Sequence, residues 1–122
     1  MNRHDEAWPS ELKVSSDRRM LTVGFTDGRS FALPAELLRV RSPSAEVQGH
    51  GPDQRVTVPG KKNVTISDLR PVGNYAVRIV FDDGHDTGLF TWKFFSETGE
   101  NAEEVWAGYL AELDEKGLSR ER

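Results

Sequence analysis

The sequence predicts an α+β fold, an antiparallel sheet of about five to six short strands built from hairpins, with two to three helices that include a C-terminal amphipathic helix. Apolar and polar residues alternate with the period of a strand, most clearly over residues 75–81. Asp-Gly pairs at 27–28 and 83–84 are typical of hairpin turns. At 122 residues the chain fits one domain, which we expect over residues 11–117, with a frayed tail at 118–122.

The first third of the chain predicts three strands and a short helix. We expect residues 1–10 to be a loose arm that Pro9 ends. Two strands should follow, with alternating apolar positions at Leu12, Val14, Leu21, Val23 and Phe25. Residues 29–33 return as a third strand after the first Asp-Gly turn. Pro34 suits the first turn of a helix because its missing N–H would be unpaired there, so we expect a helix over residues 34–40.

Residues 41–62 predict a long loop, because Ser, Pro and Gly dominate, with at most one helical turn over 44–47. A loop of this length in a compact domain is often functional. Residues 64–69 then form a strand that pairs with the strand beginning at Tyr75. The Asp83-Gly84 pair that follows tolerates positive φ at both positions of a tight turn.

Two helices complete the chain. Trp92 and Phe95 share a face of a short helix that Gly99 is expected to end. The last helix is predicted to begin at Asn101 as N-cap, with Glu104 three residues on, and to end at Lys116-Gly117. Its apolar stripe, most simply a core face, contains Val105, Trp106, Tyr109, Leu110 and Leu113.

The two predicted hairpins share one pattern, Phe-x-Asp-Gly-x-x-x-x-Leu, over residues 25–33 and 81–89. A helical segment follows each hairpin, so the chain uses one unit twice: strand, turn, strand, helix. Two copies are too few for a repeat array, and any hairpin with this turn favours similar residues. The pattern supports helices packed on one face of an antiparallel sheet.

Composition excludes several kinds of chemistry. The chain has no cysteine, so thiolate nucleophiles, disulfides and cysteine-held metals within it are excluded. The first residues contain no apolar run of the kind found in signal peptides, and no apolar stretch is long enough to span a membrane. We therefore expect a cytoplasmic protein without membrane contact.

Charge is unevenly distributed along the chain. The net charge is −4, yet residues 39–78 carry seven Lys or Arg against three acids, and residues 79–115 carry one Lys against ten acids. The basic segment could bind an anion or nucleic acid weakly, or could be an ordinary solvated face. Nucleic acid is the weaker expectation because no aromatic residues are interleaved for base stacking. Its cations include Arg39, Arg41, Arg55, Lys61, Lys62 and Arg70.

His85 is the leading candidate for chemistry. Asp82, Asp83 and Asp86 lie near it in sequence and favour its protonated form. His85 could therefore ligate a metal with nearby carboxylates or with His50, or act as an acid or base. The alternative is a polar residue at a hairpin exit, since no spaced second His accompanies it. Ser42 and Ser44 with His50 suggest a hydrolase, but the Gly-x-Ser-x-Gly elbow is missing and serines beside Pro43 are typical of turns.

The segments 38–51, 71–77 and 81–92 resemble the small bacterial family related to the N-terminal domain of gamma-butyrobetaine hydroxylase, with Asp-Gly-His-x-Thr-Gly-x-x-x-Trp over 83–92 as the most specific motif. In that family a Cys-x-Cys-x-x-Cys run and one His hold zinc. The resemblance puts these ligands at Ser42, Ser44, Val47 and His85, so three of the four are replaced. The resemblance does not extend to the separate iron-dependent catalytic domain of the hydroxylases, so we expect no oxygenase chemistry from these residues.

Related domains also occur attached to iron–sulfur carrier proteins, so the resemblance implies an accessory or docking role near iron–sulfur assembly as one alternative. We therefore expect a non-catalytic binding or adaptor domain with a protein partner and no cofactor of its own, with zinc or iron at His85 as the alternative. The expected contact region is the loop and the His85 hairpin, including Arg41, His50, Lys61, Lys62 and Trp92.

Overall fold

The computed structural model describes residues 8–49 and 55–121, and within them the α+β class is confirmed by six strands and four helices. The strands form two three-stranded antiparallel sheets rather than one continuous sheet. The first sheet contains β1 (Pro9–Val14), β2 (Met20–Phe25) and β3 (Ser30–Pro34), and the second contains β4 (Ile66–Val72), β5 (Ala76–Phe81) and β6 (Leu89–Thr91). The helices are α1 (Ala35–Val40), α2 (Ala45–Gln48), α3 (Trp92–Glu100) and α4 (Ala102–Glu115).

The two hairpins, β2–β3 and β5–β6, have turns with the same backbone hydrogen bonds. The N–H of Phe25 donates to the carbonyl of Arg29 at 2.8 Å, and that of Phe81 donates to His85 at 3.0 Å. Gly28 and Gly84 have φ of 94° and 90°, as predicted for the glycine of each turn. Asp83 does not have the positive φ that a two-residue turn would require at its position. The sequence repeat is therefore a structural repeat, with the glycine alone in the left-handed region.

The turn between β1 and β2 joins the two sheets. Arg18 has a φ of 63°, and its carbonyl accepts a hydrogen bond from Ile66 N at 2.8 Å. Its guanidinium donates to the carbonyls of Ile66 at 2.8 Å and Ser67 at 2.7 Å. These bonds satisfy the first backbone groups of β4.

The hydrophobic core lies between the sheets and helices α1 and α3. Fully burying one Leu, Ile or Phe side chain contributes about 1.5–3 kcal/mol. The core includes Leu21, Val23, Leu33, Leu37, Ile66, Val77, Ile79, Phe81, Phe90 and Phe95. A smaller cluster of Val40, Tyr109 and Leu113 attaches α4 to α1.

The boundary between α3 and α4 differs from the sequence prediction. Gly99 lies inside α3 and does not end the helix as predicted. A Cβ at this position would come within 3.0 Å of the Phe31 ring, so close packing of α3 against β3 requires glycine here. Asn101 makes no capping bond to α4, because its side-chain amide instead donates to the carbonyl of Glu97 at 2.9 Å. The predicted end at Lys116-Gly117 is confirmed, with φ of 65° at Gly117.

Residues 118–121 are held against the domain rather than frayed. The guanidinium of Arg120 donates two hydrogen bonds of 2.8 Å to the carboxylate of Glu36, which is buried. The carbonyls of Ser119 and Arg120 accept bonds from Gly60 and Lys62. Within the described ranges, none of the helices is both long enough and apolar enough to cross a membrane.

Candidate functional site

His85 lies in a buried cluster with two serines. Its Nε2 atom is 3.0 Å from Ser42 Oγ and 3.3 Å from Ser44 Oγ, and its Nδ1 atom is 3.4 Å from a carboxylate oxygen of Glu46. The serines are 0% and 5% exposed, and His85 is 7% exposed. The segment between α1 and α2 thus meets the β5–β6 turn, some 40 residues further along the chain.

Local structure on both sides positions the cluster. Ser44 precedes α2 but its side chain does not cap that helix, so its hydroxyl can reach His85. Asp83 fixes the turn by accepting a bond from the N–H of His85 at 3.0 Å. Arg39 of α1 and Lys61 contact the other oxygen of Asp83 at 2.7 and 2.6 Å. Burial opposes ionisation of Asp83, but these hydrogen bonds outweigh it and lower its pKa to about 2.

The expectation that His85 is protonated is wrong. Burial lowers the pKa of His85, because the imidazolium would lose its hydration, and the nearby positive charge of Arg39 lowers it further. These effects outweigh the carboxylates of Glu46, Asp83 and Asp86, which act in the opposite direction. His85 is therefore a neutral imidazole at pH 7.

The order serine, histidine, glutamate matches the nucleophile, base and orienting group of a hydrolase, but packing opposes that chemistry. Ser42 is fully buried, and a Cβ at Gly88 would come within 3.0 Å of its Oγ, so backbone lies directly against the hydroxyl. A substrate carbonyl has no room to approach Ser42. Both serines contact His85, and the predicted partner His50 lies outside the described residues.

Comparison with known proteins identifies the family. The family model described as gamma-butyrobetaine hydroxylase-like, N-terminal, matches residues 12–96. The chain belongs to this family. None of the curated proteins compared with it matches.

Solved structures support the same assignment. Two structures determined by NMR in solution are 46% and 48% identical to this chain, with TM-scores of 0.80 and 0.82. The first alignment covers 94% of this chain and 90% of the other, and the second covers 98% and 89%. A crystal structure of a DUF971 family protein of unknown function from Acidithiobacillus ferrooxidans is 37% identical, with a TM-score of 0.58, and covers 71% of this chain and 86% of that one.

In this chain, the residues at the positions that the family resemblance assigns to zinc ligands are not suited to bind zinc. Ser42, Ser44 and His85 converge, but serine hydroxyls are neutral, whereas zinc in proteins takes thiolate, imidazole or carboxylate ligands. Val47 is buried and has no donor atom. Throughout residues 8–49 and 55–121, no group of three or more His, Asp or Glu could hold a metal ion.

Contacts within the domain pair most cations of the basic segment with carboxylates. Four of its cations pair with carboxylates of the acidic segment and a fifth lies near Glu121, so the opposite charges of the two segments meet instead of forming two faces. This weakens the case for anion or nucleic-acid binding. The pairs are Arg39–Asp83 and Lys61–Asp83, Arg41–Glu112 and Arg55–Glu112, Lys62–Glu121, and, within the segment, Arg70–Asp68.

The predicted contact residues have different environments. The Arg41 side chain is 9% exposed and pairs with Glu112 at 2.8 Å, so it is not a surface group. Trp92 is half-buried, and its Nε1–H donates to the carbonyl of Asn74 at 2.9 Å. Lys61 is held by Asp83, whereas the Lys62 side chain is 46% exposed, with Glu121 3.8 Å away. His50 lies outside the described residues, as stated above.

Sequence reasoning missed the outward face of the second sheet, which we call the open sheet face and define by Asp68, Arg70, Arg78, Val80 and Leu89. Arg70 and Arg78 are directly opposite on β4 and β5, as are Arg78 and Leu89 on β5 and β6. Both arginines and Leu89 are exposed. The alternation over residues 75–81 could have indicated an outward Arg78, but not that a second arginine lies opposite it.

Proposed function

We propose that this domain is a non-catalytic protein-binding module, and that its open sheet face holds an acidic segment of the partner. The observation that carries the proposal is the direct cross-strand pairing of Arg70 with Arg78 on an exposed sheet surface. Like charges directly opposite on neighbouring strands destabilise a sheet. A partner carboxylate between the two guanidinium groups would remove that repulsion.

The domain itself compensates the two arginines incompletely. Asp68 contacts Arg70 at 3.1 Å, and hydrogen bonds from Arg70 and from the Leu69 N–H lower the pKa of Asp68. Both side chains are more than half exposed, so this pair contributes little to stability. Arg78 has no ion pair with any residue that the structure describes. A net positive charge is left on the face.

One exposed apolar group on the face, and another at the end of the β4–β5 hairpin, also suit a protein partner. Leu89 is 36% exposed next to Arg78, and Tyr75 is 51% exposed at the end of the β4–β5 hairpin. Arginine and tyrosine are among the residue types that contribute most to binding energy at protein interfaces. An acidic segment with apolar residues would match both properties of the face.

The alternatives have less support. The cations of the 39–78 segment are mostly paired internally, which argues against weak anion or nucleic-acid binding through them. A metal site at His85 would need ligands other than Ser42 and Ser44. The iron–sulfur connection and the cytoplasmic location stay predictions from the sequence, and a docking domain without cysteines is compatible with both.

Affinity capture with charge-reversed variants tests the proposal. Immobilised wild-type protein, Arg78→Glu and Lys13→Glu are incubated with extract of the protein's own cells, and bound proteins are quantified by mass spectrometry. Lys13 is an exposed cation on β1, so its reversal controls for net charge. We expect a protein retained by wild type and Lys13→Glu to fall about 10–100-fold with Arg78→Glu, and binding to weaken at about 0.5 M salt.

Circular dichroism verifies that both variants are folded. A bound protein that Arg78→Glu retains as well as wild type contradicts the proposed surface, and equal loss with Lys13→Glu would mean non-specific attraction. A protein that survives high salt but depends on Arg78 would favour an apolar rather than an acidic partner segment.

A further inference from the structure

The buried serines and histidine raise a separate question, which is what they do in a family member that lacks the thiolates. We infer that Ser42, Ser44 and His85 form a hydrogen-bonded clasp that joins the α1–α2 segment to the β5–β6 turn, and that this chain folds without any metal there. The clasp is a structural site in its own right, independent of the proposed sheet-face partner.

The orientation of the imidazole supports the clasp. The serine hydroxyls lie at Nε2, whereas Glu46 lies at Nδ1, on the other side of the ring. A metal ion bound at Nε2 could therefore not also be coordinated by Glu46, the carboxylate nearest to His85. The nearest groups at Nε2 are two neutral hydroxyls, which are weak ligands for zinc.

The same groups complete a hydrogen-bond arrangement without a metal. A neutral imidazole has one N–H donor and one acceptor nitrogen. Glu46 at Nδ1 favours the tautomer with the proton on that nitrogen, which leaves Nε2 to accept a hydrogen bond from a serine hydroxyl. Nε2 then has a hydrogen-bond partner, and the Nδ1–H faces a carboxylate oxygen 3.4 Å away, so neither nitrogen is left without a polar neighbour.

Additional contacts hold the two joined segments together. Thr87 donates to Glu46 at 2.7 Å, and Arg39 contacts Asp83 at 2.7 Å, so the clasp has a polar bond on each side. A Cβ at Gly88 would come within 3.0 Å of Ser42 Oγ, which shows that backbone fills the space on one side of this hydroxyl. The clasp thus connects elements that are distant in the sequence but adjacent in the core.

Metal content is the first test. The full chain is purified from zinc-supplemented cultures, its zinc is measured by elemental analysis, and its melting temperature is recorded with EDTA and with zinc chloride. We expect below about 0.1 zinc per chain and melting temperatures within about 1 °C of each other. Zinc near one per chain that disappears in His85→Ala overturns the inference.

Hydroxyl removal is the second test. Ser42→Ala and Ser44→Ala are compared with Ser16→Ala, at an exposed serine in the β1–β2 turn. We expect the unfolding equilibrium constant to rise about 5–30-fold for at least one clasp variant, because a buried ring nitrogen loses its partner, and to stay unchanged for Ser16→Ala. A variant too unstable to purify agrees with the clasp if Ser16→Ala is normal. Clasp variants as stable as Ser16→Ala overturn it.

Discussion

The carboxylate of Glu112 attaches α4 to the segment that follows α1, through Arg41, Arg55 and Thr57. Glu112→Gln should therefore strongly destabilise the domain. Its oxygens accept hydrogen bonds from Arg41 at 3.3 and 2.8 Å, from Arg55 at 2.6 Å and from Thr57 at 3.0 Å. The Arg41 side chain is 9% exposed, so a neutral glutamine would leave a nearly buried cation without a counter-charge.

Glu112→Gln should lower the free energy of unfolding by about 3 kcal/mol. Burial opposes ionisation of Glu112, but the hydrogen bonds and charge of Arg41, with those of Arg55 and Thr57, lower its pKa from 4.5 to about 2. At about 1.4 kcal/mol for each pKa unit, this difference corresponds to about 3 kcal/mol. Breaking a buried ion pair by removing one partner costs about 3–5 kcal/mol, and the lower end applies because Glu112 is 22% exposed. We expect the melting temperature to fall by about 10 °C.

Urea denaturation at pH 7 measures the loss, with Glu97→Gln as the matched control. Glu97 is 65% exposed and 3.9 Å from Lys93, so its variant should change stability by less than about 0.5 kcal/mol. A carboxylate with a lowered pKa stabilises the folded state above its unfolded pKa, and this contribution is lost as the pH falls through the folded pKa. The difference between wild type and Glu112→Gln should therefore shrink to less than half near pH 3.

Glu112 does not have this role if Glu112→Gln is no less stable than Glu97→Gln, or if the loss of stability in Glu112→Gln is the same at pH 3 and pH 7. Either result would mean that the Arg41 guanidinium is solvated well enough without its carboxylate.

Three further predictions concern backbone packing and the imidazole. Gly99→Ala should lower the free energy of unfolding by about 1–3 kcal/mol, because the added Cβ would collide with the Phe31 ring. Gly108→Ala, whose added Cβ would have no atom nearer than 4.0 Å, should be neutral or up to about 1 kcal/mol stabilising. Equal effects of the two variants in thermal unfolding would contradict the predicted collision. Because the pKa of His85 is lowered on folding, its contribution is present above its unfolded pKa of about 6.5 and is lost as the pH falls below it. His85→Asn should therefore flatten the stability profile below about pH 6.5, and an unchanged slope would exclude His85 as its source.

The strands and turns could be predicted because their signals are local. Alternation over residues 75–81 and the Asp-Gly pairs depend on a few neighbouring residues, and the structure has both hairpins where the sequence predicts them. The division into two sheets could not be predicted, because it depends on which distant strands pair. The contacts of Arg18 with β4 cross 48 residues, and no local pattern indicates them.

Similar limits explain the errors at the site. The sequence shows three aspartates near His85 but neither its burial nor Arg39, and those two features lower the pKa of His85. Counting charges along residues 39–78 likewise predicts a basic surface. Spatially, Arg41 and Arg55 converge on the same carboxylate, so the charge available to a partner is much smaller than the sequence suggests.

The repeated hairpin explains why His85 can serve the fold without chemistry. Arg29 occupies the corresponding position in the first hairpin, where its guanidinium donates to Ser96 at 2.6 Å and pairs with Glu100 of α3. His85 makes its contacts to Ser42 and Ser44 from the same point of the same turn. In both copies the side chain after the Asp-Gly pair attaches the turn to a segment remote in sequence. An anchoring role of this kind requires complementary polar groups and burial, and a metal is one way to provide them among several.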